Sequence, residues 1–237
     1  AISESSRAEA IELLNYPPSK IINISSAVDD YFRPVLINAD EERLVRERFG
    51  LRKDFLMYSG ATDPRKNHIR LIQAYASLPC HIRDAHQLAI VGGMPDDHKA
   101  IFEAEAKRCG LNDHDCRIIG RVDDESLINL YNLCKGYIFP SWHEGFGLPA
   151  LEAIKCGRPV IASNTTSLPE VIGDSNALFD PFNVADIAAK IERLLTDQAF
   201  RNELVEAQRK HSENFSWDST ANRVFTAIEQ FITQSNT

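Results

Sequence analysis

Short apolar runs alternate with helix-like segments through the middle of this chain, and the alternation restricts the fold more than any other feature. Continuous apolar runs are typical of strands that are buried on both faces of a sheet. The runs are Phe55–Tyr58, Leu88–Val91, Cys116–Ile119, Tyr137–Phe139 and Val160–Ala162, with a sixth candidate at Ala177–Phe179. The helix candidates between them are Asn67–Ser77, Asp97–Cys109, Asp124–Leu133 and Pro149–Cys156. The alternation predicts an α/β protein with a doubly wound parallel sheet.

The two ends of the chain have a different pattern. We predict a helix within residues 1–15, then a short strand at Ile21–Ile24. Asn38 and Glu41 have the spacing of a capping box, and the helix that they open is predicted to end at Gly50. Three helices are predicted near the other end: Ala185–Leu195, Ala199–His211 and Trp217–Thr233, the last opened by Ser216.

The composition argues against several classes of protein. A net charge of −8 disfavours nonspecific nucleic-acid binding, which depends on clustered lysine and arginine. No apolar run reaches the roughly 18 residues of a membrane-spanning helix. The five cysteines form no C-x-x-C pair, which favours reduced thiols in a cytosolic protein. The first residues lack a methionine and the regions of a signal peptide, so we expect the chain to begin partway through a longer protein.

The segment EGFGLPALEA follows the fourth predicted strand and has the pattern of an anion-binding turn. Gly145 and Gly147 allow a tight turn and a close approach of the backbone to a ligand. Pro149 stands where proline is favoured, at the start of a helix. The backbone N–H groups of Phe146, Gly147 and Leu148 would then point out of a helix N-terminus, which suits a diphosphate.

Two glutamates of the same segment are placed to border the bound ligand. Glu144 lies in the turn and Glu152 about one helical turn into the helix, so both can face one pocket. A carboxylate there can accept two hydrogen bonds from neighbouring sugar hydroxyls. The alternative is an ordinary strand–turn–helix corner that carries two solvated glutamates.

Two further segments follow predicted strands, where ligands bind in open α/β sheets. In GATDPRKN, which begins at Gly60, Arg65 and Lys66 place two cations beside a diphosphate. The alternative is a solvated basic pair at a helix start, where the helix dipole slightly disfavours cations. In GRVDD, Val122 could cover a base and Asp124 could accept hydrogen bonds from the edge of guanine. The alternative there is an ordinary helix N-cap formed by one of the two aspartates.

Three other motifs are interpreted as structural. Asp113–Asp115 is a D-x-D string that lies before a strand rather than after one, so we predict a solvated loop and no metal site. Ser167 and Glu170 have the spacing of a capping box, which predicts a structural role for Glu170. His143 is predicted to lie at the rim of the pocket, because the histidines of the chain show no metal-ligand spacing.

In this order, the segments resemble family 4 retaining glycosyltransferases of the GT-B fold. GATDPRKN resembles the phosphate-binding loop, IIGRVDD the base-binding loop, and FPSWHEGFGLPALEAIKCGRPVIAS the E-x7-E signature. SLPEVIGDSNALFDP and FSWDSTA resemble later landmarks, so the resemblance covers nearly the whole chain. It implies a Rossmann-like, C-terminal donor domain. By this resemblance residues 1–38 link it to an acceptor domain upstream, residues 39–215 bind the donor, and residues 216–237 pack back toward the acceptor domain.

The resemblance also implies a role for each site residue. Arg65 and Lys66 would bind the diphosphate, Glu144 the donor sugar and Glu152 the ribose hydroxyls, and the first three would carry catalysis. No metal or other cofactor is implied, since the cations and the helix N-terminus neutralise the leaving group. Many members have an arginine where this chain has Ala61, so phosphate binding would depend more on Arg65 and Lys66.

The function implied by the resemblance is hexose transfer, with mannose from GDP-mannose, to a glycan or lipid-linked glycan of a surface polysaccharide such as the O-antigen of lipopolysaccharide. This domain alone would bind donor but hardly catalyse transfer. The alternatives are a UDP-sugar donor and a non-catalytic nucleotide-sugar-binding module. A dinucleotide oxidoreductase is excluded, because its G-x-G-x-x-G motif does not follow the first strand. We expect the full-length enzyme in the cytoplasm, either free or attached peripherally to the inner membrane.

Overall fold

A single parallel sheet of six strands forms the centre of the computed structural model, which describes residues 1–235. The strands are β1 (Asp54–Ser59), β2 (His86–Val91), β3 (Cys116–Gly120), β4 (Gly136–Phe139), β5 (Val160–Ser163) and β6 (Leu178–Phe179). Their order is β3-β2-β1-β4-β5-β6, and every neighbouring pair is parallel. This is the strand order of a doubly wound Rossmann sheet. The predicted fold class and its six predicted strands are therefore confirmed.

Helices cover the sheet in two groups. They are α1 (Glu4–Leu14), α2 (Ala39–Phe49), α3 (His68–Ala76), α4 (Cys80–Ala85), α5 (Asp96–Arg108), α6 (Asp124–Leu133), α7 (Leu148–Lys155), α8 (Leu168–Ile172), α9 (Val184–Thr196), α10 (Gln198–Ser212) and α11 (Trp217–Ser235). Helix α3 packs against α5 and α9, whereas α7 packs against α6, α8 and α10. With helices on both faces, β1, β2, β4 and β5 are buried along nearly their whole length, as their continuous apolar runs predicted.

The segment before the sheet confirms two local predictions and contradicts one. The side chain of Ser3 caps α1, and the capping box of Asn38 and Glu41 opens α2. The predicted strand at Ile21–Ile24 is wrong, because the segment has no neighbouring strand to pair with. Its backbone bonds to the first residue of the chain instead, with the Ile24 N–H donating to the carbonyl of Ala1 at 2.9 Å.

The five cysteines are free thiols, in agreement with the sequence. Cys116, Cys134 and Cys156 are buried, and burial raises the pKa of each thiol to about 12. These three side chains are therefore protonated and unreactive core residues at neutral pH.

Gly92, directly after β2, lies against the backbone of the segment that follows β1. Its φ is 141°, and a Cβ atom there would collide with the carbonyl of Gly60. We expect Gly92→Ala to lower the free energy of unfolding by about 1–3 kcal/mol more than Gly110→Ala does. Gly110 is a matched control because it also has a positive φ, 79°, but open space around it. Urea unfolding of both variants measures the difference, and equal losses would show that the close approach contributes nothing.

Helix α11 exposes a series of large apolar side chains. They are Trp217, Phe225, Ile228, Phe231 and Ile232. Within the described residues, no helix is both long enough and apolar enough to cross a membrane. The division of the chain at residues 38 and 215 stays a prediction. The packing of residues 216–237 on an acceptor domain also stays a prediction, and residues 236 and 237 lie outside the described part of the chain.

Candidate functional site

The predicted phosphate loop and the predicted anion-binding turn meet where the strand order reverses. The loop follows β1 and the turn follows β4, and these neighbouring strands form the switch point at which doubly wound sheets bind ligands. The N–H of Trp142 donates to the carbonyl of Arg65 at 3.0 Å. The buried amide of Asn67 donates to the carbonyls of Pro140 and Pro181, at 3.0 and 2.7 Å. These bonds hold the two segments in one fixed arrangement.

Glu144, Lys66 and Arg65 form one ion cluster at this point. Nζ of Lys66 lies 2.6 Å from Oε1 of Glu144, and a guanidinium nitrogen of Arg65 lies 3.0 Å from Oε2. Lys66 is 9% exposed and Glu144 8%, whereas the side chain of Arg65 is 36% exposed, so the alternative of a solvated basic pair does not hold for Lys66. The ammonium of Lys66 also lies 5.3 Å from the ring centre of Phe139. The structure thus brings together the three residues that the sequence predicted as catalytic.

The glycine turn has the geometry expected of an anion site. Gly147 has a φ of 113°, which glycine tolerates, and α7 begins at the next residue. Within the described chain, the backbone N–H groups of Phe146, Gly147 and Leu148 have no hydrogen-bond partner. The first N–H groups of a helix have no partner within the helix and carry its positive dipole end. The turn therefore offers unpaired donors beside the cations.

The segment after β5 is a part of the site that the sequence analysis missed. The hydroxyl of Thr165 donates to the carbonyl of Trp142 at 3.1 Å, and the hydroxyl of Thr166 accepts from the N–H of Glu144 at 3.1 Å. Thr166 has a φ of 50°, which is rare for a β-branched residue and costs conformational energy. The sequence does contain a signal for this segment. Thr165 and Thr166 belong to a polar run that follows a predicted strand, and ligands bind at the carboxyl ends of such strands.

The capping-box prediction for Ser167 and Glu170 is wrong. The hydroxyl of Ser167 does not cap α8 but lies 2.9 and 2.8 Å from the carbonyls of Glu144 and Phe146, which share its single hydrogen. The carboxylate of Glu170 accepts hydrogen bonds from the N–H of Glu4 and the amide of Asn23. Glu170 is structural, as predicted, but it ties α1 to the linker rather than capping a helix.

Glu152 lies on α7 and is partly buried behind the turn. The hydroxyl of Tyr131 donates to its carboxylate at 2.8 Å and also contacts the hydroxyl of Ser59 at 2.8 Å. Burial raises the pKa of Glu152 above its ordinary value, while the hydrogen bond from Tyr131 acts in the opposite direction. The side chain is therefore oriented from one side and leaves lone pairs for a ligand hydroxyl.

Asp124 is exposed in the first turn of α6 and does not cap the helix. Its neighbour Asp123 is the N-cap and accepts from the N–H of Ser126 at 2.8 Å, which excludes the N-cap alternative for Asp124. Asp124 lines a cavity of about 620 Å³ together with Tyr31, a residue that the sequence analysis missed. A hydrogen bond with Asp29 raises the pKa of Tyr31, and the charges of Asp124 and Glu152 raise it further. Val122 is partly buried and packs against the core.

The remaining motifs lie outside this cluster or at its edge. Asp115 is buried and lies 3.3 Å from Nζ of Lys53, so the prediction of a solvated loop is wrong for this residue and correct for the exposed Asp113. His143 contacts the carboxylate of Glu9 at 2.9 Å. Across residues 1–235, no group of three or more acidic, histidine or cysteine side chains is arranged to hold a metal ion.

Known proteins share this arrangement of sequence and fold. The chain is 38% identical over 231 residues to the serotype-specific mannosyltransferase WbdA of Escherichia coli, covering 98% of this chain and 28% of that protein. It is 35% identical over 232 residues to the O-antigen chain mannosyltransferase B of Escherichia coli, covering 96% of this chain and 59% of that protein. The chain therefore spans only part of the length of these relatives.

A solved structure and a family profile agree with these likenesses. The crystal structure of HepE from Anabaena in complex with UDP and glucose matches with a TM-score of 0.83 at 18% identity, over 97% of this chain and 62% of that chain. At this identity the match shows the fold alone. The profile of the family described as "Glycosyl transferases group 1" matches residues 40–211, which include the ion cluster, the glycine turn and Glu152. The chain belongs to the group 1 glycosyl transferases, the GT-B enzymes that its motifs resemble.

Proposed function

We propose that this chain is the donor-binding domain of a retaining glycosyltransferase that transfers mannose from GDP-mannose to a glycan acceptor in O-antigen synthesis. The observation that carries the proposal is the Lys66–Glu144–Arg65 cluster at the sheet's switch point. The unpaired N–H groups before α7 lie in the same turn as Glu144. Two cations and a helix N-terminus together suit a diphosphate, whose charge increases as the anomeric bond breaks.

The other residues have complementary roles in this proposal. Glu152 accepts hydrogen bonds from the ribose hydroxyls, while Tyr31, Val122 and Asp124 border the base. The carboxylate of Glu144 accepts hydrogen bonds from the sugar hydroxyls and keeps its ion pair with Lys66, with Arg65 or with both. The cations, rather than a metal ion, stabilise the leaving diphosphate. A two-step route would need a carboxylate nucleophile on the opposite face of the sugar. Because Glu144 is engaged with the sugar hydroxyls instead, the new glycosidic bond forms on the face from which the diphosphate departs.

The mannose assignment rests on the sequence similarity to WbdA and to O-antigen chain mannosyltransferase B, which are both mannosyltransferases. The second candidate is a UDP-sugar donor; HepE, which has the same fold, was solved in complex with UDP and glucose. A non-catalytic binding module is the third candidate, and the intact Lys66–Glu144 pair argues against it. The acceptor would be held by a further domain, and the exposed apolar side chains of α11 supply a surface on which such a domain could pack.

Calorimetry with GDP and UDP tests the donor site of this domain. We expect GDP to bind more tightly than UDP, with the same affinity in the presence and absence of a metal chelator. Binding that disappears with chelator would contradict the metal-free site, and tighter binding of UDP would contradict GDP-mannose. A protein that binds neither nucleotide would overturn the proposed function.

A further inference from the structure

Two serine hydroxyls at the start of helix α1 contact the glycine turn. Oγ of Ser3 donates to the carbonyl oxygen of Gly145 at 2.7 Å, and Oγ of Ser6 donates to the same oxygen at 2.9 Å. A carbonyl oxygen has two lone pairs, so the two hydroxyls saturate it. Ser3 is fully buried and also accepts from the N–H of Ser6, which couples the start of the helix to the turn.

The position of a carbonyl oxygen determines the direction of the next N–H group. In a trans peptide the oxygen and the following hydrogen point to opposite sides of the chain, and the described residues contain no cis peptide. Because the Gly145 carbonyl points at α1, the N–H of Phe146 points away from it. The hydroxyl of Ser167 contacts the carbonyls of Glu144 and Phe146 in a similar way, which directs the N–H groups of Gly145 and Gly147.

We infer that Ser3, Ser6 and Ser167 form a serine clamp that positions the unpaired N–H groups of the turn for the donor diphosphate. They are positioning residues, since they act on the ligand through the peptide planes of residues 144–147. The inference rests on the proposed function for the identity of the ligand. It adds α1, a helix that is distant in sequence from the turn, to the donor-binding machinery.

The rest of α1 is held in a way that supports the clamp. The N–H of Glu4 donates to the carboxylate of Glu170 at 2.9 Å, and the side chain of Arg7 donates to the carbonyl of Ile21 at 2.9 Å. Farther along the helix, Glu9 contacts His143, the residue next to Glu144. The helix is therefore fixed at both ends of its contact with the turn, and its serines can hold the carbonyl without themselves moving.

Ser6 offers the sharpest test, because Ser3 also caps the helix. Ser6→Val removes the hydroxyl, whereas Ser6→Thr keeps it on a side chain of nearly the same shape. Ser5→Val is the matched control on the same helix, since no hydrogen bond of the Ser5 side chain exists within the described residues. We expect Ser6→Val to weaken the binding of GDP about two- to tenfold relative to Ser6→Thr, as the loss of one hydrogen bond implies. Guanosine, which lacks phosphates, should bind all variants equally.

Amide resonances from NMR spectroscopy of the ligand-free protein give a second measurement. The signals of Gly145 to Leu148 should shift in Ser6→Val and stay in place in Ser6→Thr and Ser5→Val. The clamp would be overturned if Ser6→Val and Ser6→Thr had equal affinities for GDP and the same amide signals. It would also be overturned if Ser6→Val weakened the binding of GDP and guanosine to the same extent. If the wild-type protein bound no nucleotide, the proposed function would fail, but the amide signals would still decide whether the serines position the turn.

Discussion

Replacing Lys66 with methionine is expected to lower kcat at least about tenfold in the two-domain enzyme proposed above, because a buried cation beside the leaving group stabilises the transition state more than the ground state. Methionine keeps an unbranched apolar side chain but removes the charge, together with the contact between the ammonium and the ring of Phe139. Steady-state kinetics at saturating donor measure the effect. Arg65 remains as a partner of Glu144, so the buried carboxylate is not left without a cation.

Lys107→Met is the matched control for this experiment. Lys107 is exposed on α5, away from the ion cluster, and should tolerate the same change without loss of kcat. A change in KM alone at position 66 would mean that the cation binds donor and transition state equally. A sugar trapped covalently on Glu144 would contradict transfer on the same face altogether.

Glu152→Gln is expected to have opposite effects on binding and on stability. The ribose hydroxyls lose a charged acceptor, so nucleotide affinity should fall about ten- to hundredfold. Stability at neutral pH should rise, because burial raises the pKa of Glu152 and the folded state therefore disfavours the carboxylate. Calorimetry and thermal unfolding of the same variant measure both effects.

The effect of Glu152→Gln on stability should depend on pH. The raised pKa of Glu152 contributes stability at low pH, and that contribution is lost as the pH rises through the folded-state pKa. The Tm advantage of Glu152→Gln should therefore grow from pH 4 to pH 8. Wild-type affinity for guanosine should fall as the pH is lowered through the same pKa, and the variant should show no such fall. An exposed control, Glu203→Gln, should change neither quantity.

Local chemistry explains why so much of the fold was predictable. Each strand that is buried on both faces requires a continuous apolar run, and the six predicted runs in the middle of the sequence each overlap a strand of the sheet. The failure at Ile21–Ile24 has the same cause, since apolar character alone supplies no neighbouring strand. Ser167 was misinterpreted because a capping box and a hydroxyl that bonds a distant turn have the same local sequence.

The sequence by itself determined which segments meet, because loops that follow parallel strands begin at one edge of the sheet whatever the details of packing. It therefore predicted that Arg65, Lys66, Glu144 and Glu152 lie near that edge. Only the tertiary structure decided how they are paired. The contact between Lys66 and Glu144 joins residues 78 positions apart, and the contact between Ser3 and Gly145 joins residues 142 apart. No local pattern encodes such a contact, because it depends on how β1, β4 and α1 are placed relative to one another in the folded chain.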